Sequence, residues 1–167
     1  MSSVRAYIAL NSNLNNPIQQ LTQALQALQC LPDSKLQQVS HFYQNPPMGP
    51  QDQPDFINAV AALDTCLEPL ELLTQLQKIE DQQGRVRDPN RRWGERTLDL
   101  DILLYGDLCM KSEKLTLPHA GLLQRYFFLF PLYEIAPELR LPSGELLVSC
   151  LPHQSENLLT PVFTASL

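Results

Sequence analysis

Thr97-Leu98-Asp99-Leu100-Asp101-Ile102-Leu103-Leu104-Tyr105 is the stretch on which the fold turns. Its polar and apolar residues alternate, which predicts a strand over 97–105. Alternate side chains of a strand share a face, so Asp99 and Asp101 project together while Leu98, Leu100 and Ile102 point to the other side. Upstream, Val4 to Leu10 reads as a first strand. Asn15-Asn16-Pro17 then offers a cap and a helix-starting proline before Ile18, Leu21, Leu25 and Leu28, which fall at helical spacing. Leu36 to Tyr43 and Phe56 to Asp64 read as strands, and Leu70 to Gln82 as a helix burying Leu72, Leu73, Leu76 and Ile79. The resulting order, β-α-β-β-α-β, predicts a ferredoxin-like α+β sandwich with its helices on one face of an antiparallel sheet.

The chain has 167 residues, 44% hydrophobic and 18% charged, enough for a single domain over 1–167 with its own core. A net charge of −6 argues against a surface built for polyanions, so no nucleic-acid partner is expected. No apolar run reaches membrane-spanning length, and Met1-Ser2-Ser3-Val4-Arg5-Ala6 lacks the features of a secretory signal. Cys30, Cys66, Cys109 and Cys150 are too dispersed for a disulfide framework or a zinc site. The expectation is a reduced, cytoplasmic protein that makes no membrane contact.

Two segments are too long for ordinary turns. Gln44 to Asp55 carries Pro46, Pro47, Pro50 and Pro54 with Gly49, so it is long but stiff. Gly84 to Glu95 carries Arg85, Arg87, Arg91 and Arg92, with Arg96 just beyond. Residues 107–142 read as a mixed extension within which Arg125 to Tyr133 fits neither helix nor strand uniquely. The C-terminal part after Ser143 is the least informative.

On a strand the Cα atoms of Asp99 and Asp101 stand roughly 6.6 Å apart. Carboxylates that close repel unless a cation compensates them, and hard oxygen ligands suit Mg²⁺ shared with substrate phosphates. An isolated Asp-x-Asp is also compatible with a solvated strand face. The arginines favour the first reading: five of the twelve basic residues fall in 85–96, and guanidinium forks match phosphate oxygens. A salt-bridged surface loop is the alternative. No Gly-x-x-x-x-Gly-Lys-Ser/Thr motif is present, so the phosphates are not held by a P-loop. Trp93 serves either as a packing anchor or as a lid. Phe56 and Asn58 share a strand face, which suits a flat heterocycle, or else a core ring beside a turn-capping amide. His119 after Pro118 contacts phosphate or caps a turn, the turn being the better fit, and one of Phe127 and Phe128 belongs in the core.

Together these segments resemble the 6-hydroxymethyl-7,8-dihydropterin pyrophosphokinase family of folate biosynthesis. The resemblance is carried by Pro46-Pro47-Met48-Gly49-Pro50-Gln51-Asp52-Gln53-Pro54-Asp55-Phe56-Ile57-Asn58, by Gly84-Arg85-Val86-Arg87, and by Arg92-Trp93-Gly94-Glu95-Arg96-Thr97-Leu98-Asp99-Leu100-Asp101-Ile102. Leu117-Pro118-His119 and Pro131-Leu132-Tyr133-Glu134-Ile135-Ala136-Pro137 extend it, so that it runs from Ala6 to about Pro142. It implies transfer of the terminal diphosphate of ATP to the pterin hydroxymethyl group, leaving AMP. It also implies a ferredoxin-like fold and a monomer whose partners are these two small molecules. Asp99 and Asp101 then bind two Mg²⁺ ions. Arg85 and Arg96 join them in catalysis, while Arg87, Arg92, His119 and Arg125 hold phosphate. Gln77, Glu80, Trp93, Ile102 and Thr116 match positions near the nucleotide. The pterin lies between Phe56 and Phe127, its edge read by Asn58, by Asn45 and by the backbone around Pro46 and Met48.

The chain departs from the family pattern at several points. Asn11-Ser12-Asn13-Leu14 stands where Gly-Ser-Asn-Leu is usual, and Asn45 where threonine is common. Phe56 replaces a frequent tyrosine, and Ala120 an aromatic. The arginine loop is about one residue longer, so Arg91 and Arg92 compete for one role. Two other readings use the same fold: a ferredoxin-like RNA-binding module, and a non-catalytic relative that only binds ligand. Asp99 and Asp101 on the exposed face oppose the first, and retention of both aspartates and the arginines opposes the second.

Overall fold

The alternation along the chain is realised as strands wherever apolar residues recur every second position. A computed structural model of the protein describes residues 2–47, 52–84, 97–153 and 158–167. In chain order it contains β1 (Val4–Ser12), α1 (Pro17–Gln29), β2 (Ser34–Val39), β3 (Phe42–Asn45), β4 (Phe56–Thr65), α2 (Pro69–Gln82) and β5 (Asp99–Tyr105). The hairpin β6 (Met110–Lys111) and β7 (Thr116–Leu117), the helix α3 (Tyr126–Ile135) and β8 (Thr160–Phe163) follow. The main sheet runs β5-β1-β4-β3-β8, with β2 also paired to β4, and all of its pairings are antiparallel.

The strand expected over Leu36 to Tyr43 is two strands. β2 pairs with the Thr65 half of β4 and β3 with the Phe56 half. Between them the Ser40 N–H donates to the Val60 carbonyl at 2.9 Å, and the Val60 N–H donates to the Ser40 hydroxyl at 3.0 Å. The side-chain oxygen takes the place of a ladder carbonyl, so the chain can bend here without orphaning the backbone of β4.

The start of α1 also differs from expectation. Asn16 makes no side-chain cap; it and Asn15 adopt left-handed conformations, with φ of 63° and 53°. Asparagine tolerates that region better than most residues. The turn is tied instead by Gln20, whose side-chain amide donates to the Asn15 carbonyl at 2.9 Å. α2 has a capping box, in which Glu68 accepts from the backbone of Glu71 and the Glu71 side chain accepts from the Glu68 N–H, with Pro69 opening the helix.

Each face of the sheet has its own core. Ala6, Ile8 and Leu10 of β1, Ala59, Ala61 and Leu63 of β4, and Leu100 and Ile102 of β5 pack under α1 and α2. The opposite face carries Tyr7, Ala9, Val60, Ala62, Leu103 and Leu104, covered by Phe127, Phe128, Leu129 and Leu132. The sheet therefore lies between two helical layers, and the expectation that helices occupy one face holds only for α1 and α2. α3 resisted assignment because it buries residues on most of its circumference, Phe127, Phe128, Leu129, Pro131 and Leu132 among them, so no period marks it as a helix. The C-terminal part supplies β8, which extends the sheet beyond β3. No helix among the described residues is long and apolar enough to cross a membrane.

Candidate active site

α3 packs on part of its face, and beyond that part the strand positions are polar. Register places Asp99 of β5 opposite Asn11 of β1, Asn11 opposite Asn58 of β4, and Asn58 opposite Tyr43 of β3. Residues paired across antiparallel strands share a face, so these four form one row across the sheet. One step nearer α3, Asp101 pairs with Ala9, and Ala9 with Val60. Both aspartates are half-exposed, with buried Leu100 between them pointing into the other core. That is the arrangement expected from the sequence.

Amides link the row. The Asn11 Nδ2 donates to Asn58 Oδ1, Asn58 Nδ2 donates to Asn45 Oδ1, and Asn45 Nδ2 donates to the Pro46 carbonyl at 3.0 Å. Burial holds the phenol of Tyr126, at the start of α3, above the usual range, and Asn45 opposes that rise. Phe56 lies on the same face as Asn58, two residues before it, and is buried. Phe127 and Phe128 are both buried, although one alone was expected in the core, with ring centroids 5.1 Å apart. Asn45, Phe56, Asn58 and Phe127 thus gather at the junction of β3, β4 and α3, while Pro46 is exposed at its rim.

Two further ties hold this junction. Asn13 Nδ2 donates to Gln53 Oε1 at 2.9 Å and to the Pro54 carbonyl at 3.0 Å, fastening the end of β1 to the chain that enters β4. Glu134 of α3 accepts from the Tyr43 hydroxyl, from the His41 N–H and from His41 Nδ1, the last at 2.7 Å. Burial, aided by Glu134, raises the Tyr43 phenol far above its usual range, so it remains a donor.

On the β5 side, Asp101, Ile102, Thr116 and His119 line one cleft together with Leu73, Leu100, Lys114, Leu115 and Ala120. Three residues expected at the nucleotide, Ile102, Thr116 and His119, are therefore brought together with Asp101, expected to hold metal. His119 Nδ1 accepts from the Gly121 N–H at 2.9 Å, which places the proton of the neutral ring on Nε2. That nitrogen lies 3.7 Å from Asp101 Oδ1. The turn-capping role read for His119 is present, and the ring also faces Asp101. Its ring stands edge-on to Phe128 at 5.2 Å, and the Arg125 guanidinium lies over the same ring at 5.2 Å. Gly121 permits this packing, because a Cβ there would meet the guanidinium at 2.7 Å.

Gln77 is exposed on α2, outside that cleft, whereas Glu80 is buried and its Oε2 accepts from the Leu100 N–H at 2.7 Å. Glu80 therefore holds the outer edge of β5 instead of facing open space. Met48, Arg85, Arg87, Arg91, Arg92, Trp93 and Arg96 lie outside the described residues. No group of three or more His, Cys, Asp or Glu among the described residues is placed to hold a metal ion. The donor set of Asp99 and Asp101 fits Mg²⁺ in a different way: two hard carboxylates, with the remaining positions left to water and phosphate oxygens.

The family model of 7,8-dihydro-6-hydroxymethylpterin-pyrophosphokinase (HPPK) matches residues 7–137. The chain belongs to this family. It is 54% identical over 144 residues to the 2-amino-4-hydroxy-6-hydroxymethyldihydropteridine pyrophosphokinase of Haemophilus influenzae, covering 86% of this chain and 89% of that one. It is 53% identical over 150 residues to the pyrophosphokinase of the same name from Pseudomonas aeruginosa, covering 87% and 91%. A Plasmodium falciparum HPPK-DHPS crystal structure superposes with a TM-score of 0.69 at 13% identity, which shows a shared fold. The match covers 89% of this chain but spans only 45% of that two-part chain.

Asn11, Asn13, Gln53, Tyr126 and Glu134 were not legible as site residues in the sequence. Asn11 and Asn13 carried a faint signal, two amides spaced to share a strand face. The pairing of Glu134 with Tyr43 spans 91 positions and has no local signature.

Proposed function

We propose that the chain transfers the terminal diphosphate of ATP to the hydroxymethyl oxygen of 6-hydroxymethyl-7,8-dihydropterin, releasing AMP, as a single pyrophosphokinase domain of folate biosynthesis. The row Asp99–Asn11–Asn58–Tyr43 is the observation that supports this reading most. It sets phosphate-type chemistry at one end of a sheet face and amide recognition of a flat ring at the other.

Asn58 and Asn45 present donors and acceptors to the edge of the pterin, whose faces stack against Phe56 and Phe127. Asp99 and Asp101 would hold Mg²⁺, two ions in all, shared with the triphosphate. When bound, these ions neutralise phosphate oxygens and lessen charge repulsion on the way to transfer. The pterin oxygen forms its bond to the β-phosphorus as the bond from that phosphorus to the α–β bridging oxygen breaks. AMP leaves with that oxygen, and the hydroxyl proton passes to solvent. His119, edge-on to Phe128, places a hydrogen-bonding group beside Asp101, and Arg125, over the same ring, is assigned to the phosphates. Arg85 and Arg96 stabilise charge on the phosphates, and Arg87, Arg92 and Trp93 contribute to the nucleotide site. Gln77 is assigned to the nucleotide from the resemblance alone, and Glu80 supports the site by accepting from the Leu100 N–H. The ferredoxin-like classification is supported by the order β5-β1-β4-β2 with α1 and α2 on one face. We place the chain in the cytoplasm, acting as a monomer without nucleic acid or membrane.

Product analysis tests the reading. Protein mixed with MgATP and the hydroxymethyl dihydropterin is expected to release AMP and the pterin diphosphate, with dependence on both substrates and on Mg²⁺. ADP as the nucleotide product would overturn the assigned reaction.

A further inference from the structure

Asn11 Oδ1 is a buried oxygen with no hydrogen-bond donor among the described residues. The same amide's nitrogen is committed to Asn58 on β4, and the register partner of Asn11 on the other flank, on β5, is Asp99. An unmet buried acceptor is costly.

What supplies the donor follows from position in the row. Neighbouring strands lie about 4.8 Å apart, so Asn58 and Asp99 are separated by about 10 Å with Asn11 midway. On the reading proposed above, the ring edge is held at Asn58 and the diphosphate at Asp99. The group that joins them must cross β1, and that group is the hydroxymethyl arm. We infer that Asn11 is a substrate-binding residue whose Oδ1 accepts a hydrogen bond from the reacting hydroxyl of the pterin. The bond turns the hydroxyl proton toward Asn11 and leaves an oxygen lone pair directed at the β-phosphorus. Asn11 thereby discriminates a 6-hydroxymethyl substrate from a ring that lacks the hydroxyl, while its nitrogen fixes the amide of Asn58.

Calorimetric titration of two ligands separates this role from a structural one. 6-Hydroxymethyl-7,8-dihydropterin and 6-methyl-7,8-dihydropterin are compared in the presence of Mg²⁺ and α,β-methylene ATP, which cannot transfer its diphosphate. One neutral hydrogen bond predicts that the protein prefers the hydroxymethyl ligand by about threefold to tenfold. Asn11→Gly, which removes the side-chain amide, is expected to abolish that preference. Asn11→Asp, which retains an acceptor oxygen, is expected to keep it. A preference that survives in Asn11→Gly overturns the proposal, as does its absence from the unmodified protein. A uniform loss of affinity for both ligands with the preference intact shows that Asn11 acts only through Asn58, and overturns it too. If the unmodified protein binds neither pterin, the failure lies in the underlying reading of the site, and the proposal falls with it.

Discussion

The two faces of the sheet are built from the same strands yet put to different use. Under α1 and α2 the inward residues of β1, β4 and β5 are apolar for the whole length of the contact, from Ala6 to Leu10 and from Ala59 to Leu63. Under α3 the apolar run stops at Ala9 and Val60, and the next positions are Asn11, Asn58 and Asp99. One face thus supplies stability along its full length, and the other divides along the strand axis into a packed half and a polar half. Because side chains alternate, a single strand such as β5 can insert Leu100 into one core and offer Asp99 and Asp101 on the other side.

Substitutions on the two faces should therefore separate stability from activity. The largest effect is expected at Asp99→Asn or Asp101→Asn, where turnover falls by about three orders of magnitude, some 4 kcal/mol of transition-state stabilisation. The melting temperature should hold or rise slightly, since one of two adjacent charges is removed. AMP release and thermal unfolding measured on the same preparation decide it, and near-normal turnover in both variants would break the comparison. Next comes Leu63→Ala, in the core beneath the helices, where the side chain is fully buried. About 3 kcal/mol of stability should be lost, read by denaturant unfolding, with activity per folded molecule unchanged.

The smallest effect sharpens the contrast from outside both regions. Asp64 is held below the usual carboxylate range chiefly by its hydrogen bond to Arg5, and the pair is partly exposed. A depressed folded-state pKa means that Asp64 stabilises fully above the ordinary carboxylate pKa near 4, and that this is lost as pH falls through the folded value. Asp64→Asn should therefore cost less than about 1 kcal/mol at neutral pH and nothing in strong acid. Urea unfolding at the two pH values checks this.

The sequence displayed the covered face more openly than the divided one. Ile8, Leu21, Leu28, Leu72 and Leu76 recur at strand or helix periods, so the layer they form could be read residue by residue. The acidic pair was equally plain, because Asp99 and Asp101 lie two apart on a strand that alternates. α3 was hidden by its uniform apolarity. The break in the second strand was hidden because Ser40 does its work through one hydroxyl to Val60. The amide chain through Asn11, Asn58 and Asn45 joins three strands and exists only once register is set.

The far border of the sheet carries a consequence of another kind. β8 is four residues long, contains Pro161, and pairs with β3 through an irregular step between Phe42 and Tyr43. A proline removes one backbone donor, and shortness with broken register makes a poor template for a further strand. Val162 and Phe163 are nonetheless exposed there. The element that ends the sheet thus offers apolar side chains but a defective ladder, which discourages one molecule from stacking its backbone onto the next in a crowded solution.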